Sequence, residues 1–396
     1  MSRETKTNKI KVGILITKPG QEKKKEELIH CASKTRPWLN VNIPSHLRIN
    51  NSKNKKCVPG DVSVGLYMQH KDPKIEIDFI KPNEITEKRL KGNLINFMVI
   101  YDLLESFHTD KDKKRKNFKK VTNILSRAKN IYPNFEYQKF VNDKSQYLKY
   151  FTKKKVNVIP TFKVSCETLK EKRIDGTIKH IIKHVKKRPW NGKFIAKPIF
   201  GQESIDFKAF KDGLDDESLQ KTEKELKKYL NKIMVDRTVK YPGILIQKYI
   251  EGFDEKKPEI RMYFFDENYK YSIITHDGKV DLPTVEKGKM KVNNLNELKK
   301  FAKKILDKTP DIKMRGTKLP KALTRIDIAC DDKFGKPWIV NEIEFVPSLY
   351  VEDVKKIPEI YLGDAFLKIV NKFNHTAPTG RRRTHSGKSK RTLKSS

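Results

Sequence analysis

The chain has 396 residues, too long for one small core and about right for two or three packed lobes. Hydrophobic residues make up 36% and aromatic residues 9%, which excludes a wholly disordered polymer although charged residues reach 34%. Lys plus Arg number 87 against 49 Asp plus Glu, and the formal net charge of +38 favours anionic partners such as nucleotides, phosphorylated molecules, acidic peptides or nucleic acid.

The start, MSRETKTNK, has no apolar stretch of signal-peptide type. The longest apolar run, around Leu94–Leu104, carries Asn96 and Asp102 and is too short to span a bilayer. A soluble, intracellular protein with no membrane partner is expected. Cys31, Cys57, Cys166 and Cys330 form no C-x-x-C pair or zinc-like cluster and read as reduced thiols. Lys9–Thr17 (KIKVGILIT) is a strand-length apolar run ending at Lys-Pro-Gly, as suits the buried first strand of an α/β lobe. Residues 18–60 are polar and proline-containing and allow no assignment. Val62–Met68 and Ile75–Ile80 read as strands, whereas the spacing of Leu94, Phe97, Met98, Tyr101, Leu104 and Phe107 predicts a helix.

From about Pro133 strands and helices alternate. Asn142 is placed to cap a helix over Asp143–Phe151, followed by a strand at Val156–Val164, a helix at Gly176–Lys187 and a strand at Lys193–Lys197. Ser218–Ile233 reads as an amphipathic helix, and Gly243–Ile250, Glu259–Phe265 and Tyr271–Thr275 as strands. A helix at Leu295–Leu306, two strands around a turn at Asp331–Lys336 and a helix near Ile360–Phe373 complete the body. His70, His184 and His276 are isolated and read as surface or core histidines, and Trp190 as a packing corner. Ala377–Ser396 holds Arg381, Arg382, Arg383, Lys388, Lys390, Arg391 and Lys394 and no acid. It reads as a disordered basic tail, with a nuclear signal or a nucleic-acid tether as its candidate uses.

The residues richest in chemistry lie in TRIDIACDDKFGKPWIVNEIEFVPSLY, Thr324–Tyr350. Alternate strand residues share a face, so Arg325 and Asp327 oppose Ile326 and Ile328, and Glu342 and Glu344 oppose Ile343 and Phe345. Around a turn centred between Phe334 and Gly335, Asp327 stands across from Glu342 and Arg325 across from Glu344. Three carboxylates so close are unfavourable without a cation, and hard oxygen ligands suit Mg²⁺. On these residues alone, a solvent-facing hairpin with salt bridges is the competing reading.

An R-x-D strand followed by N-E-I-x-x-x-P resembles the metal-binding hairpin of the ATP-grasp superfamily, which includes D-alanine:D-alanine ligase, glutathione synthetase and the ribosomal glutamate ligases. Further elements occur in the order that resemblance implies. Asn142, Asp143 and Lys144 look like the N-D-K helix start, and KFIAKP (Lys193–Pro198) like the strand whose lysine, here Lys197, contacts phosphate. ILIQKYI (Ile244–Ile250) is similar to the hinge strand, and Glu259-Ile260-Arg261 to the acidic-x-Arg element after it. The resemblance implies that Lys144 and Lys197 meet the phosphates, and that Gln247 with the backbone of Lys248, Tyr249 and Ile250 binds adenine. Glu259 would reach a ribose hydroxyl. Asp327, Glu342 and Glu344 would hold Mg²⁺, two ions in all with Mn²⁺ as a substitute, and Arg325 and Arg261 would be catalytic.

The fold implied is an α/β protein of ATP-grasp architecture, with nucleotide clasped between two β-sheet lobes and an N-terminal α/β lobe. Its divisions are 1–135, an ATP-grasp region over 136–375 split near 240, and the tail 376–396. The implied activity is an ATP- and Mg²⁺-dependent carboxylate-amine ligase working through an acylphosphate. Its partners are nucleotide, a carboxylate substrate and an amine substrate, with an acidic protein or other polyanion as a further candidate. The alternatives are a kinase acting on a polyanionic small molecule such as an inositol phosphate, and a non-catalytic nucleic-acid-binding protein. Two features depart from the family pattern: Ile199–Ile205 is poor in glycine, and Glu344 stands where Asn is usual.

Overall fold

The computed structural model describes residues 9–17, 29–49, 56–112, 115–201, 206–235, 238–250, 259–276, 279–281, 292–330, 338–344, 349 and 357–375. The expected turn at Asp331–Lys336, most of the glycine-poor loop and the basic tail lie outside them. No helix among the described residues is long and apolar enough to cross a membrane.

The first part runs β1 (Ile10–Leu15), β2 (Ile29–Cys31), β3 (Cys57–Pro59), α1 (Gly60–Lys71), β4 (Ile75–Ile80), α2 (Glu87–Lys91), β5 (Ile95–Met98), α3 (Leu103–Thr109), α4 (Lys116–Arg127) and β6 (Ile131–Tyr132). Four of these strands form a parallel sheet in the order β4-β1-β5-β6. The strands expected at the start and at Ile75–Ile80 are present. The strand expected at Val62–Met68 is instead the middle of α1, whose Val62, Ser63, Val64, Gly65, Tyr67 and Met68 are all buried. A helix enclosed on nearly every side shows no polar stripe, so periodicity could not separate it from a strand. The helix expected over Leu94–Phe107 is β5 followed by α3. All four residues of β5 are buried, and Asp102 starts α3 by accepting the Glu105 amide. The cysteines also differ from expectation: Cys31 and Cys57 face each other in the β2–β3 pairing and form a disulfide, while Cys166 and Cys330 are free.

The second part contains α5 (Phe135–Asn142), α6 (Lys144–Lys153), β7 (Thr161–Ser165), α7 (Cys166–Lys186), β8 (Phe194–Pro198), β9 (Lys208–Phe210), α8 (Asp216–Ile233), β10 (Met234–Val235), β11 (Thr238–Val239) and β12 (Gly243–Lys248). β7-β12-β8-β9 form an antiparallel sheet with α7 and α8 over one face, through Ile181, Val185, Leu226 and Leu230. Trp190 is buried in that core, as expected, whereas His184 is not isolated: its ring lies 4.4 Å from that of His180. Asn142 does not cap α6. It ends α5, and Asp143 is the cap, accepting from the Ser145 and Gln146 amides. Gly243 (φ +154°) is required by close approach, since a Cβ there would lie 2.6 Å from the Val164 carbonyl.

The third part comprises β13 (Glu259–Phe265), β14 (Asn268–His276), β15 (Lys279–Asp281), α9 (Val292–Lys308), β16 (Ile312–Met314), β17 (Thr317–Leu319), β18 (Leu323–Ala329), β19 (Ile339–Glu344) and α10 (Pro358–His375). The sheet order is β15-β14-β13-β18-β19, antiparallel throughout. One face packs Met262, Phe264, Ile326, Ile328 and Ile343 on Leu298, Ala302 and Ile305 of α9. The other face carries the charges. α10 returns to the first part, where Phe366 stacks on Phe97 with ring centroids 4.0 Å apart, a burial worth about 2–3 kcal/mol.

At the start of α10, Glu359 is fully buried and accepts from His30 Nδ1 at 2.6 Å, Arg36 Nε at 2.6 Å and Ser63 Oγ at 3.3 Å, all at Oε1. Burial raises its pKa, but the interactions with His30 and Arg36 outweigh that and hold it at about 2. A carboxyl depressed on folding stabilises above its unfolded pKa, and that contribution is lost as pH falls from about 4.5 toward about 2. Glu359→Gln is therefore expected to flatten the acid limb of a melting-temperature profile and to cost on the order of 3 kcal/mol at pH 7. An unchanged acid limb in the variant would show that the network contributes nothing.

Candidate active site

The register across β14, β13, β18 and β19 arranges the charged face in rows. Tyr271, Tyr263, Arg325 and Glu344 form one row, and Ile273, Arg261, Asp327 and Glu342 the next. The two opposite pairs expected from the sequence are present. Equidistance from the turn holds only to that point, because a bulge shifts the next pairs to Ile328–Val340 and Ala329–Ile339. Asn341, the extra residue, donates Nδ2–H to Glu259 Oε1 at 2.7 Å, a contact no sequence pattern indicated.

Asp327, Glu342 and Glu344 each offer an oxygen within 4.8 Å of the others. A shared octahedral ion needs oxygens at about 2.1 Å, hence mutual spacings up to about 4.2 Å, so small side-chain rotations would suffice. Without an ion, protein cations neutralise the cluster. Arg325, 5% exposed, grips Asp327 with two bonds of 2.7 Å and reaches Glu344 at 2.9 Å. Burial disfavours its charge, yet these carboxylates hold its pKa well above the usual value. Lys144, at the start of α6, is buried and pairs with Glu342. Arg261 Nε lies 3.2 Å from Glu259 and 3.9 Å from Asp327.

The second sheet supplies the opposite side. Lys197 and Gln247 lie on one face of it, since Lys197 pairs with Leu245 and Gln247 with Ile195 and Thr161. Burial and the nearby Lys144 push the Lys197 ammonium down to about 7, against the pull of Glu259 and Asp327. Burial likewise pushes Lys144 down to about 8, against Glu344 and Asp327. Two lysines with weakened hold on their protons, facing one carboxylate set, form a cradle for a polyanion that would restore their charge. Gln247 is fully buried; its Nε2 donates to Thr161 Oγ1 at 2.8 Å, while its Oε1 has no partner among the described residues. The Lys248 and Tyr249 amides are engaged by the Pro160 and Lys193 carbonyls at 2.9 and 3.3 Å. Asp102 was not legible as a site residue. It is buried, pushed up to about 7 mainly by that burial, and feels the charge of Glu344.

Glu344 is the residue that departs from the pattern. Glu344→Asn keeps an acceptor for Arg325 and is expected to retain turnover within about ten-fold. Glu344→Lys places a second cation beside a buried guanidinium and is expected to cost on the order of 3–5 kcal/mol. Equal melting temperatures and rates for the two variants would exclude a site role for this carboxylate.

No protein-family model and no curated protein matches the sequence. In structure the chain is similar to the D-cycloserine synthetase DcsG, with TM-score 0.51, 16% identity and coverage of 78% of this chain and 97% of that one. It is also similar to D-alanyl-alanine synthetase A of Vibrio cholerae O1 biovar eltor, with TM-score 0.52, 11% identity and coverage of 93% and 100%. At these identities the likeness concerns the fold, which is that of the ATP-grasp enzymes.

Proposed function

We propose that this ATP-grasp chain is an ATP- and Mg²⁺-dependent ligase that joins a carboxylate to an amine through an acylphosphate. The observation that carries the reading is the Asp327–Glu342–Glu344 cluster faced by Lys144 and Lys197 from two other elements. The donor set is all hard oxygen, as suits Mg²⁺ or Mn²⁺; these three carboxylates would hold the metal, which would supply positive charge to offset that developing on the phosphoryl group. Lys144 and Lys197 would hold phosphate oxygens as point charges. Gln247 Oε1 would accept from the adenine amino group, relieving its unpartnered state. Because the Lys248 and Tyr249 amides are engaged internally, the rest of the adenine edge would fall to the Lys248 carbonyl and to Ile250. Glu259, steadied by Asn341 and Arg261, would take a ribose hydroxyl. Arg325 and Arg261 would face the transferring phosphoryl group, where fixed cations act without reorganisation.

In this proposal residues 1–135 bound the substrate side, and the region from 136 to 375, split near 240, clasps the nucleotide. The test is ATP turnover across amino acids and acidic peptides with product masses. Joined substrates short of one water support the ligase, while a product heavier by one phosphate would replace it with a kinase. No ATP turnover with any of them would refute both.

A further inference from the structure

Between α9 and the turn that joins β13 to β14 runs a groove of about 600 Å³, lined by Lys299, Lys300, Lys303, Lys304 and Lys308. Its floor is aromatic. Phe264 and Tyr269 meet edge to face with centroids 5.9 Å apart, and Lys299 Nζ lies 4.4 Å from the centre of the Tyr269 ring. Because α9 covers the apolar face of the sheet, the groove lies on the side away from the carboxylate cluster, and its charge takes no part in the proposed reaction.

Two carboxylates line the same groove, and both are already taken. Asp307 accepts from Lys303 at 2.7 Å, and Glu267 from Lys321 at 3.3 Å. Lys308 donates to the Lys154 carbonyl at 2.7 Å. Lys300 and Lys304 are exposed and have no anionic partner among the described residues. The other lysine-rich amphipathic helix, α8, is different: Lys221 pairs with Asp212 at 3.0 Å, Lys227 with Asp175 at 3.2 Å and Lys232 with Asp206 at 2.7 Å. On α9 Lys303 is the one lysine paired with a carboxylate among the described residues. Like charges four residues apart oppose helix formation, so the unneutralised rows on α9 call for an anion from outside.

We propose that this groove docks an acidic stretch of a partner polypeptide, lying extended along α9 with Asp or Glu at alternate positions. The row Lys300, Lys304, Lys308 advances about 6 Å per step along the helix axis. Alternate side chains of an extended chain are about 6.6 Å apart, so successive carboxylates meet successive lysines. From Lys299 to Lys308 the helix rises about 14 Å, room for about four extended residues. The aromatic floor takes the apolar stems of the same side chains. A nucleic acid fits less well. Base stacking needs an open ring face, and Lys299 already lies over Tyr269. The groove also has no arginine among its lining residues to grip phosphate with two parallel bonds. The docking site does not rest on the ligase reading, since it lies away from the carboxylate cluster.

The test uses the full chain without nucleotide and a fluorescein-labelled decaglutamate peptide, read by fluorescence anisotropy at about 50 and about 150 mM salt. Lys300→Glu combined with Lys304→Glu is expected to weaken binding at least about ten-fold at the lower salt. Lys224→Glu combined with Lys228→Glu on α8 changes the net charge equally and is expected to weaken it by no more than about two-fold. All four lysines are exposed, so both variants are expected to melt as wild type does. Lys300→Gln with Lys304→Gln, expected to lose about three-fold, keeps the test valid if the reversed charges disturb α9. Equal losses in the two reversed variants would mean a response to net charge alone and overturn the proposal. Absence of binding by wild type at about 1 mM peptide does the same. So does a single-stranded oligonucleotide that displaces the probe at a lower concentration than unlabelled peptide, which would make the groove a nucleic-acid site. No ATP chemistry enters the measurement, so its failure leaves the ligase reading untouched.

Discussion

Glu342→Gln is expected to lower kcat by on the order of 10²–10³ while changing ATP affinity by no more than about three-fold. The substitution keeps the size of the side chain and removes a single charge from the three-carboxylate set. Ground-state nucleotide binding draws on both lysines and on the adenine contacts, whereas the carboxylate–metal cluster matters most when charge redistributes during phosphoryl transfer. A secondary effect follows from the buried pairing with Lys144, whose charge would lose part of its compensation. A loss of about 1–3 kcal/mol in the nucleotide-free protein is therefore expected, and circular dichroism should still show a folded chain. Steady-state turnover with titration calorimetry for ATP separates the two effects. Wild-type kcat in this variant, or a collapse of ATP affinity with kcat intact, would remove Glu342 from the site.

Lys197→Met is expected to act in opposite directions on stability and function. Among the described residues no ion pair joins Lys197, and burial beside Lys144 already loosens its proton. Replacing a half-buried, partly desolvated charge by an apolar side chain of similar length should raise the melting temperature of the nucleotide-free protein. A base depressed on folding binds fewer protons in the folded chain between about pH 7 and 10.5, so wild-type stability should rise with pH there, and less steeply in Lys197→Met. ATP-dependent turnover should fall by about 10²–10³ with nucleotide affinity weakened at least ten-fold, since the phosphates lose a fixed cation. Added Mg·ATP should then raise the melting temperature of wild type much more than that of the variant. Equal ATP-induced shifts in the two proteins would contradict a phosphate role for Lys197.

The Arg325–Asp327 and Glu342–Glu344 strands were legible because strand alternation is local: each residue's face follows from its neighbours, and a single hairpin turn sets the pairing. β13 and β8 were legible for the same reason, and α8 through its long amphipathic pattern. Where burial is nearly uniform this signal disappears, which is why the sequence of α1 reads as a strand and that of β5 as part of a helix. Their identities rest on the layers around them, the parallel sheet on one side and α10 on the other.

Sequence alone determined the carboxylate face of the β18–β19 hairpin, because strand alternation depends on short-range periodicity, whereas the two lysines and the hinge at Gln247 were indicated only by the family resemblance. Tertiary structure decided everything that joins distant segments. It paired Cys31 with Cys57, brought Lys144 onto Glu342, drew Asp102 toward Glu344, and set His30 against Glu359 across 329 positions of chain. Contacts of that span arise from how packed layers stack, and no local pattern encodes which loop end will face which helix start.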